Sequence, residues 1–133
     1  MRLTLVRHAT LLLEVGSRRL LVDPMLDPAG ARPPIENTPN QARNPLVELP
    51  MPAADVVRGI DGCIVSHLHQ DHLDPTAVEL LPKDIPILTQ PESVEALRAH
   101  GFANVTDDGA GWLGLDVART GGRHGTGEIG AML

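Results

Sequence analysis

Three histidines and two aspartates fall within the eleven residues IVSHLHQDHLD (64–74), in a chain that has six histidines in all. Neutral imidazoles beside a carboxylate are the donor set that zinc and similar borderline divalent ions take. The position supports that chemistry. The cluster follows an apolar run, GCIVS (62–66), and a strand that ends in polar donors delivers them to the carboxyl edge of a sheet, where open α/β sheets bind ligands. In extended backbone His67 and His69 point to the same side. Asp71 and His72 follow where the chain turns toward a helix. A lone histidine on an apolar strand is ordinarily a core or surface residue, but three in six positions interleaved with aspartate call for a metal.

The elements around the cluster are readable from pattern. LTLV (3–6), LLLEV (11–15) and RLLVD (19–23) are strands, with Gly16-Ser17 as a hairpin turn. Pro24 closes the last of them. Residues 24–52 hold eight prolines and no sustained periodicity, so they form a surface loop able to wall a pocket. A short helix is expected around 53–59, then the strand 62–66. Asp74 is placed to cap a helix over PTAVELL, with Pro75 at its first position. IPILT (85–89) is a strand, and PESVEALRAHG (91–101) a helix begun by Pro91 and stopped by Gly101. NVT and then WLGLDVAR, in which Leu113, Leu115 and Val117 alternate, return to strand. The chain closes on the glycine-rich TGGRHGTGEIGAML, with no strand after it. The order implies an α/β (α+β) architecture, one domain over 1–133 in which a sheet carries helices on one face.

Composition excludes several classes. The chain is 42% hydrophobic with a net charge of −6, and its ten arginines and single lysine are scattered, so no nucleic-acid footprint is present. Phe102 and Trp112 are the only aromatics, which makes the core aliphatic. Cys63 is the sole cysteine and sits in an apolar strand, where it reads as a small buried hydrophobe rather than a reactive thiol. No apolar run approaches the ~20 residues of a membrane span. Arg7, His8 and Glu14 interrupt the N-terminal stretch, which lacks a signal-peptide cleavage pattern. The expected location is cytoplasmic and the expected partner a small-molecule substrate.

At this point the residues carry a family resemblance. SHLHQDHLD resembles the H-x-H-x-D-H signature of the metallo-β-lactamase fold. RHATLLLEVGSRRLLVDPML resembles the opening strands of its ascorbate-6-phosphate-lactonase-like and N-acylphosphatidylethanolamine phospholipase D-like branches, and GGRHGTGEIG is similar to the segment that brings the next histidine. The resemblance implies that His67, His69 and His124 ligate a first metal, that Asp71 and His72 ligate a second, and that Asp23 supports the site from behind. It also implies a zinc-dependent hydrolase of ester, lactone or phosphodiester bonds, with Asp71 orienting the attacking water or holding the second metal; Mn2+ and Fe2+ suit the same donors. His8 is divided between a supporting role at the site and a structural one, and His100 reads as a surface residue at a helix C-terminus.

The family fold is an αββα sandwich of two similar halves, and its later half supplies a bridging aspartate and a last histidine. The nine residues after His124 contain neither. The chain therefore reads as one half of that sandwich, the N-terminal part of a longer hydrolase. A sheet built to face a partner sheet would expose an apolar face and an unpaired edge. A missing C-terminal half or a homodimer is expected to cover them. The competing function is a non-catalytic metal-binding half-fold that dimerises or is completed by another chain.

Overall fold

The computed structural model describes residues 1–34, 36 and 39–121, and beyond these only the strand backbone at Arg123–His124, Gly127–Glu128 and Ala131–Met132. Six strands form one mixed sheet in sequence order: β1 (Arg2–Arg7), β2 (Thr10–Val15), β3 (Arg18–Val22), β4 (Gly62–Val65), β5 (Ile87–Thr89) and β6 (Val105–Thr106). The first three make an antiparallel meander, and from β3 to β6 each neighbouring pair is parallel. Gly16 makes the β2–β3 turn at a φ of +58°, a left-handed conformation that costs glycine nothing sterically. Helices α1 (Ala53–Val56), α2 (Pro75–Leu80) and α3 (Val94–Ala99) fill the parallel crossovers.

Strand alternation gives each face of the sheet its own core. On one face Leu12, Leu21, Cys63, Val65, Ile87 and Val105 pack with Val56 of α1, Ala77 of α2, Leu97 of α3 and Phe102. On the other, Leu20, Ile64 and Leu88 meet Trp112, with Leu113, Leu115 and Val117 against them. The helices therefore all sit on one face, as the element order implied. Asp74 caps α2, accepting a 2.8 Å bond from the Ala77 amide, and Gly101, at a φ of +89°, ends α3. The helix expected over 91–101 is a 3-10 turn at Pro91–Ser93 followed by α3, and the one expected around 53–59 stops after a single turn.

One segment departs from its pattern. WLGLDVAR does not form a strand: Gly111, Leu113 and Gly114 have φ of +66°, +54° and +78°, and the chain coils through tight turns from the Gly111 carbonyl to the Gly114 amide and from the Trp112 carbonyl to the Leu115 amide. A strand cannot pass through three left-handed residues in four. The apolar side chains still go where a strand would send them, onto the second face of the sheet. Within the closing glycine-rich segment the short strands β7 (Arg119–Thr120), β8 (Arg123–His124), β9 (Gly127–Glu128) and β10 (Ala131–Met132) pair as β7 with β10 and β8 with β9.

The coiled segment covers the second face over β3, β4 and β5. On the edge strand β1, Leu3 and Leu5 point to that same face, opposite Leu13 and Leu11, and remain 57% and 62% exposed.

The coil reaches the sheet only because Gly62 has no side chain: a Cβ there would lie 2.6 Å from Leu113 Cδ1 and 2.9 Å from the Trp112 ring. Gly62→Ala is expected to lift the sole tryptophan off the sheet, shifting its fluorescence to the red and lowering stability by about 1–3 kcal/mol. An unchanged emission maximum would contradict this packing.

Candidate metal centre

The histidine cluster lies where β4 ends and the chain turns into α2. β4 ends at Val65, and after His69 the chain makes one tight turn, with the His72 and Leu73 amides both donating to the His69 carbonyl at 2.9 Å. Before the turn, His67 Nε2 and His69 Nδ1 lie 3.0 Å apart, with ring centroids 4.4 Å apart. The turn brings the His72 ring against His67, tilted by 44° with centroids 3.9 Å apart, and sets His72 Nε2 3.6 Å from Asp71 Oδ2. His67 is buried, Asp71 and His72 are partly open, and His69 faces solvent. The cluster thus has a closed back and an open front.

Asp23 forms the back. It follows β3 at a φ of +45°, an arrangement aspartate tolerates better than most residues. Its Oδ1 accepts from the Ser66 amide at 2.7 Å, and its Oδ2 accepts from the Ser66 hydroxyl at 2.7 Å and from His72 Nδ1 at 2.8 Å. Ser66 Oγ in turn lies 3.0 Å from His67 Nδ1. Burial opposes a charge on His72, but the hydrogen bond and charge of Asp23, helped by Asp71, outweigh it and raise its pKa. Asp23 therefore lies behind the cluster, bonded to Ser66 and His72. Ser66 was not anticipated, although it is the first polar residue after the apolar run and directly precedes His67.

The donor atoms arrange themselves in pairs. If two bonds of ~2.1 Å reached one ion, His67 Nε2 and His69 Nδ1 would subtend about 90°, and His72 Nε2 with Asp71 Oδ2 about 120°; both are angles between neighbouring ligands. Each separation is one that two ligands of a single ion can have, though among the described residues no three ligating side chains converge on one point. The side chain of His124, expected as the third ligand of the first pair, lies outside the described residues. His8 is not at the cluster. It occupies the β1–β2 turn, and its Nε2 accepts from the Leu46 amide at 3.0 Å, so it tethers the proline-rich loop. His100 is exposed at the C-terminus of α3, and Cys63 is fully buried, with burial and then the Asp23 charge pushing its thiol pKa up.

The proline-rich loop is fastened beside the cluster by a second polar group that sequence reading missed. Buried Arg7 donates to the carbonyls of Met25, Asp27 and Val47. The Asp27 carboxylate accepts from Arg32 Nε and Thr76 Oγ1, while the Asp27 amide donates to Asp74 at 2.6 Å. Asp74 thus caps α2 and holds the loop with the same carboxylate. Burial raises the Asp74 pKa against those amide bonds. The two limbs of the loop wall an open groove of about 460 Å³ lined by Leu26, Pro28, Glu48 and Met51 among others. None of the clustered histidines lines it, so the loop walls a pocket that is separate from the histidine cluster.

Comparison with known proteins gives the chain its family. Residues 18–127 match the family described as beta-lactamase superfamily domain. The chain belongs to that family, and its mixed sheet with few helices is the N-terminal half of the metallo-β-lactamase fold. A UPF0173 protein, YddR of Bacillus subtilis, is 36% identical over 132 residues, covering 96% of this chain and 52% of its own length. Two solved structures superpose closely. An isothiocyanate hydrolase from Delia radicum gut bacteria does so with a TM-score of 0.88 at 34% identity, over 99% of this chain and 57% of that one. A possible metal-dependent hydrolase from Veillonella parvula reaches 0.91 at 31% identity, over 98% and 56%. The chain spans about half the length of these relatives.

Asp27 gives the loop fastening a pH signature. Burial works against its charge, but the hydrogen bonds from Arg32 and Thr76 and the Arg32 charge prevail and hold its pKa below the ordinary value. The stabilisation is therefore present above the ordinary carboxyl pKa of about 3.9 and is lost as pH falls through the lower folded value. The melting temperature should fall on acidification below about pH 4. Asp27→Asn should melt lower at neutral pH and lose less on acidification. Parallel pH profiles for the two proteins would contradict the fastening.

Proposed function

We propose that the chain carries the metal-binding portion of a metal-dependent hydrolase. His67, His69 and His124 hold a first ion, and Asp71 and His72 contribute to a second. The carrying observation is the 3.0 Å approach of His67 Nε2 to His69 Nδ1 on the open side of the cluster, with the Asp23 and Ser66 side chains behind. Zinc is the ion best suited to this mixed imidazole and carboxylate set. Bound there, it would supply Lewis acidity for a carbonyl or phosphoryl oxygen and make water acidic enough to attack near neutral pH. The protein's own residues do the rest. His67 and His72 are held by hydrogen bonds on their Nδ1 atoms, and Asp71, about one-third exposed, accepts a hydrogen bond from the attacking water and orients it. The substrate is a small electrophile: an ester, lactone or phosphodiester, or an isothiocyanate carbon as in the solved relative's name.

A second reading has its own support. The described residues bring ligands together in pairs only, and Leu3 and Leu5 leave apolar surface open on β1. Both features suit a metal-binding half-fold whose site and sheet face are completed by a second copy or another polypeptide. Among the described residues no helix is long and apolar enough to cross a membrane.

The test is to add Zn2+ to the chelator-treated chain and follow melting and turnover on a panel of the four bond types. The expected result is a Zn2+-dependent rise in melting temperature, as binding linked to folding requires. Hydrolysis of at least one panel member should accompany it, and His67→Ala should abolish both. Zinc stabilisation without turnover, in a chain that light scattering finds dimeric, would favour the second reading. No zinc effect, with His67→Ala behaving as wild type, would contradict both.

A further inference from the structure

We infer that Ser66 is a positioning residue whose hydroxyl, together with Asp23, fixes which ring nitrogen of His67 and of His72 carries the proton, presenting both Nε2 atoms to metal. The argument follows the protons. Asp23 accepts from the Ser66 amide and, at 2.7 Å, from the Ser66 hydroxyl. An ionised carboxylate only accepts hydrogen bonds, so the hydroxyl hydrogen points at Oδ2. The oxygen of Ser66 is then left to accept, and the group facing it at 3.0 Å is His67 Nδ1. His67 must therefore carry its proton on Nδ1 and present a bare Nε2 lone pair. His72 obeys the same rule: its Nδ1 donates to Asp23 Oδ2 at 2.8 Å and grazes Ser66 Oγ at 3.3 Å, so its lone pair is on Nε2, the nitrogen nearer Asp71.

Every hydrogen in the group runs one way, from imidazole to hydroxyl to carboxylate or from imidazole to carboxylate. His69 completes the direction. With His67 Nε2 bare, the 3.0 Å contact is a bond from His69 Nδ1–H, and that hydrogen is the one an incoming ion would displace, since metal binding to imidazole releases protons. One serine thus sits behind a ligand of each proposed ion. It was missed in the sequence because serine is an ordinary strand ending, and its partner Asp23 is 43 residues away. Partners that fix the tautomer of a ligating histidine govern its metal affinity.

The inference rests on the metal-centre reading for its consequence but not for its primary test. Tautomers are read directly by long-range proton–nitrogen correlation on the histidine-labelled, chelator-stripped chain at about pH 8.5, well above the ordinary imidazole pKa of about 6.5. Wild type is expected to carry both His67 and His72 as Nδ1–H tautomers. Ser66→Ala should let His67 populate the Nε2–H form while His72, still held by Asp23, stays. Ser66→Thr, which keeps the hydroxyl, should restore the wild-type pattern. Zinc affinity measured by chelator competition should fall about 10- to 100-fold in Ser66→Ala and recover in Ser66→Thr. A wild-type His67 found as Nε2–H would overturn the inference even if the alanine variant did not fold. So would an alanine variant with unchanged His67 tautomer and zinc affinity. A wild-type chain with the expected tautomers and no zinc binding would instead refute the metal-centre reading alone.

Discussion

The carboxylate of Asp23 is the constraint on which the rest of this structure turns. Its backbone joins β3 to the neighbouring strand, the amide donating to the Ile64 carbonyl at 2.9 Å. Its carbonyl accepts from Thr10 Oγ1, which itself accepts from the Met25 amide, so the hairpin, the end of β3 and the start of the proline-rich loop share one fastening. Its side chain then spans to Ser66 and His72. The left-handed backbone at Asp23 costs about 1–2 kcal/mol, and the bonds that converge there offset it. A residue strained in this way and bonded on every polar atom orients what it touches, and what it touches is the back of the histidine cluster.

The surroundings extend that order outward. Asp74 holds α2 and the Asp27 amide with one carboxylate, and Arg7, its charge buried, draws three loop carbonyls together. The proline-rich segment is therefore fixed at its root, although its described residues form no helix or strand. Burial lowers the Arg7 pKa, against the charges of Asp74, Glu48 and Asp27. The opposing acids are the groups that the arginine helps to hold in place. The same economy appears on the other sheet face, where the absence of a side chain at Gly62 lets a coiled segment take the place a strand would have occupied.

What was legible in the sequence follows from distance along the chain. The pairing of His67 with His69 depends on a two-residue period within one extended stretch, so it could be read directly. The α2 cap at Asp74-Pro75 is equally local. Asp23, Ser66 and His72 meet only because β3 and β4 are parallel neighbours, which no local pattern states; family resemblance placed Asp23, and nothing placed Ser66. Arg7 looked like a charge interrupting an apolar opening, yet it is nearly fully buried. WLGLDVAR misled because Leu113, Leu115 and Val117 imitate strand alternation, while the positive φ of Gly111 and Gly114 makes coiling easy. In that segment the strand reading was wrong, although the apolar side chains still reach the sheet.

The most direct test of the central claim is anomalous diffraction at the zinc edge from crystals of this chain grown with zinc. The account predicts a peak about 2.0–2.1 Å from both His67 Nε2 and His69 Nδ1, with Ser66 still bonded to Nδ1 of His67 and Asp23 to Nδ1 of His72. A zinc atom bound through His67 Nδ1, or a crystal with zinc elsewhere and none between these two rings, would contradict it.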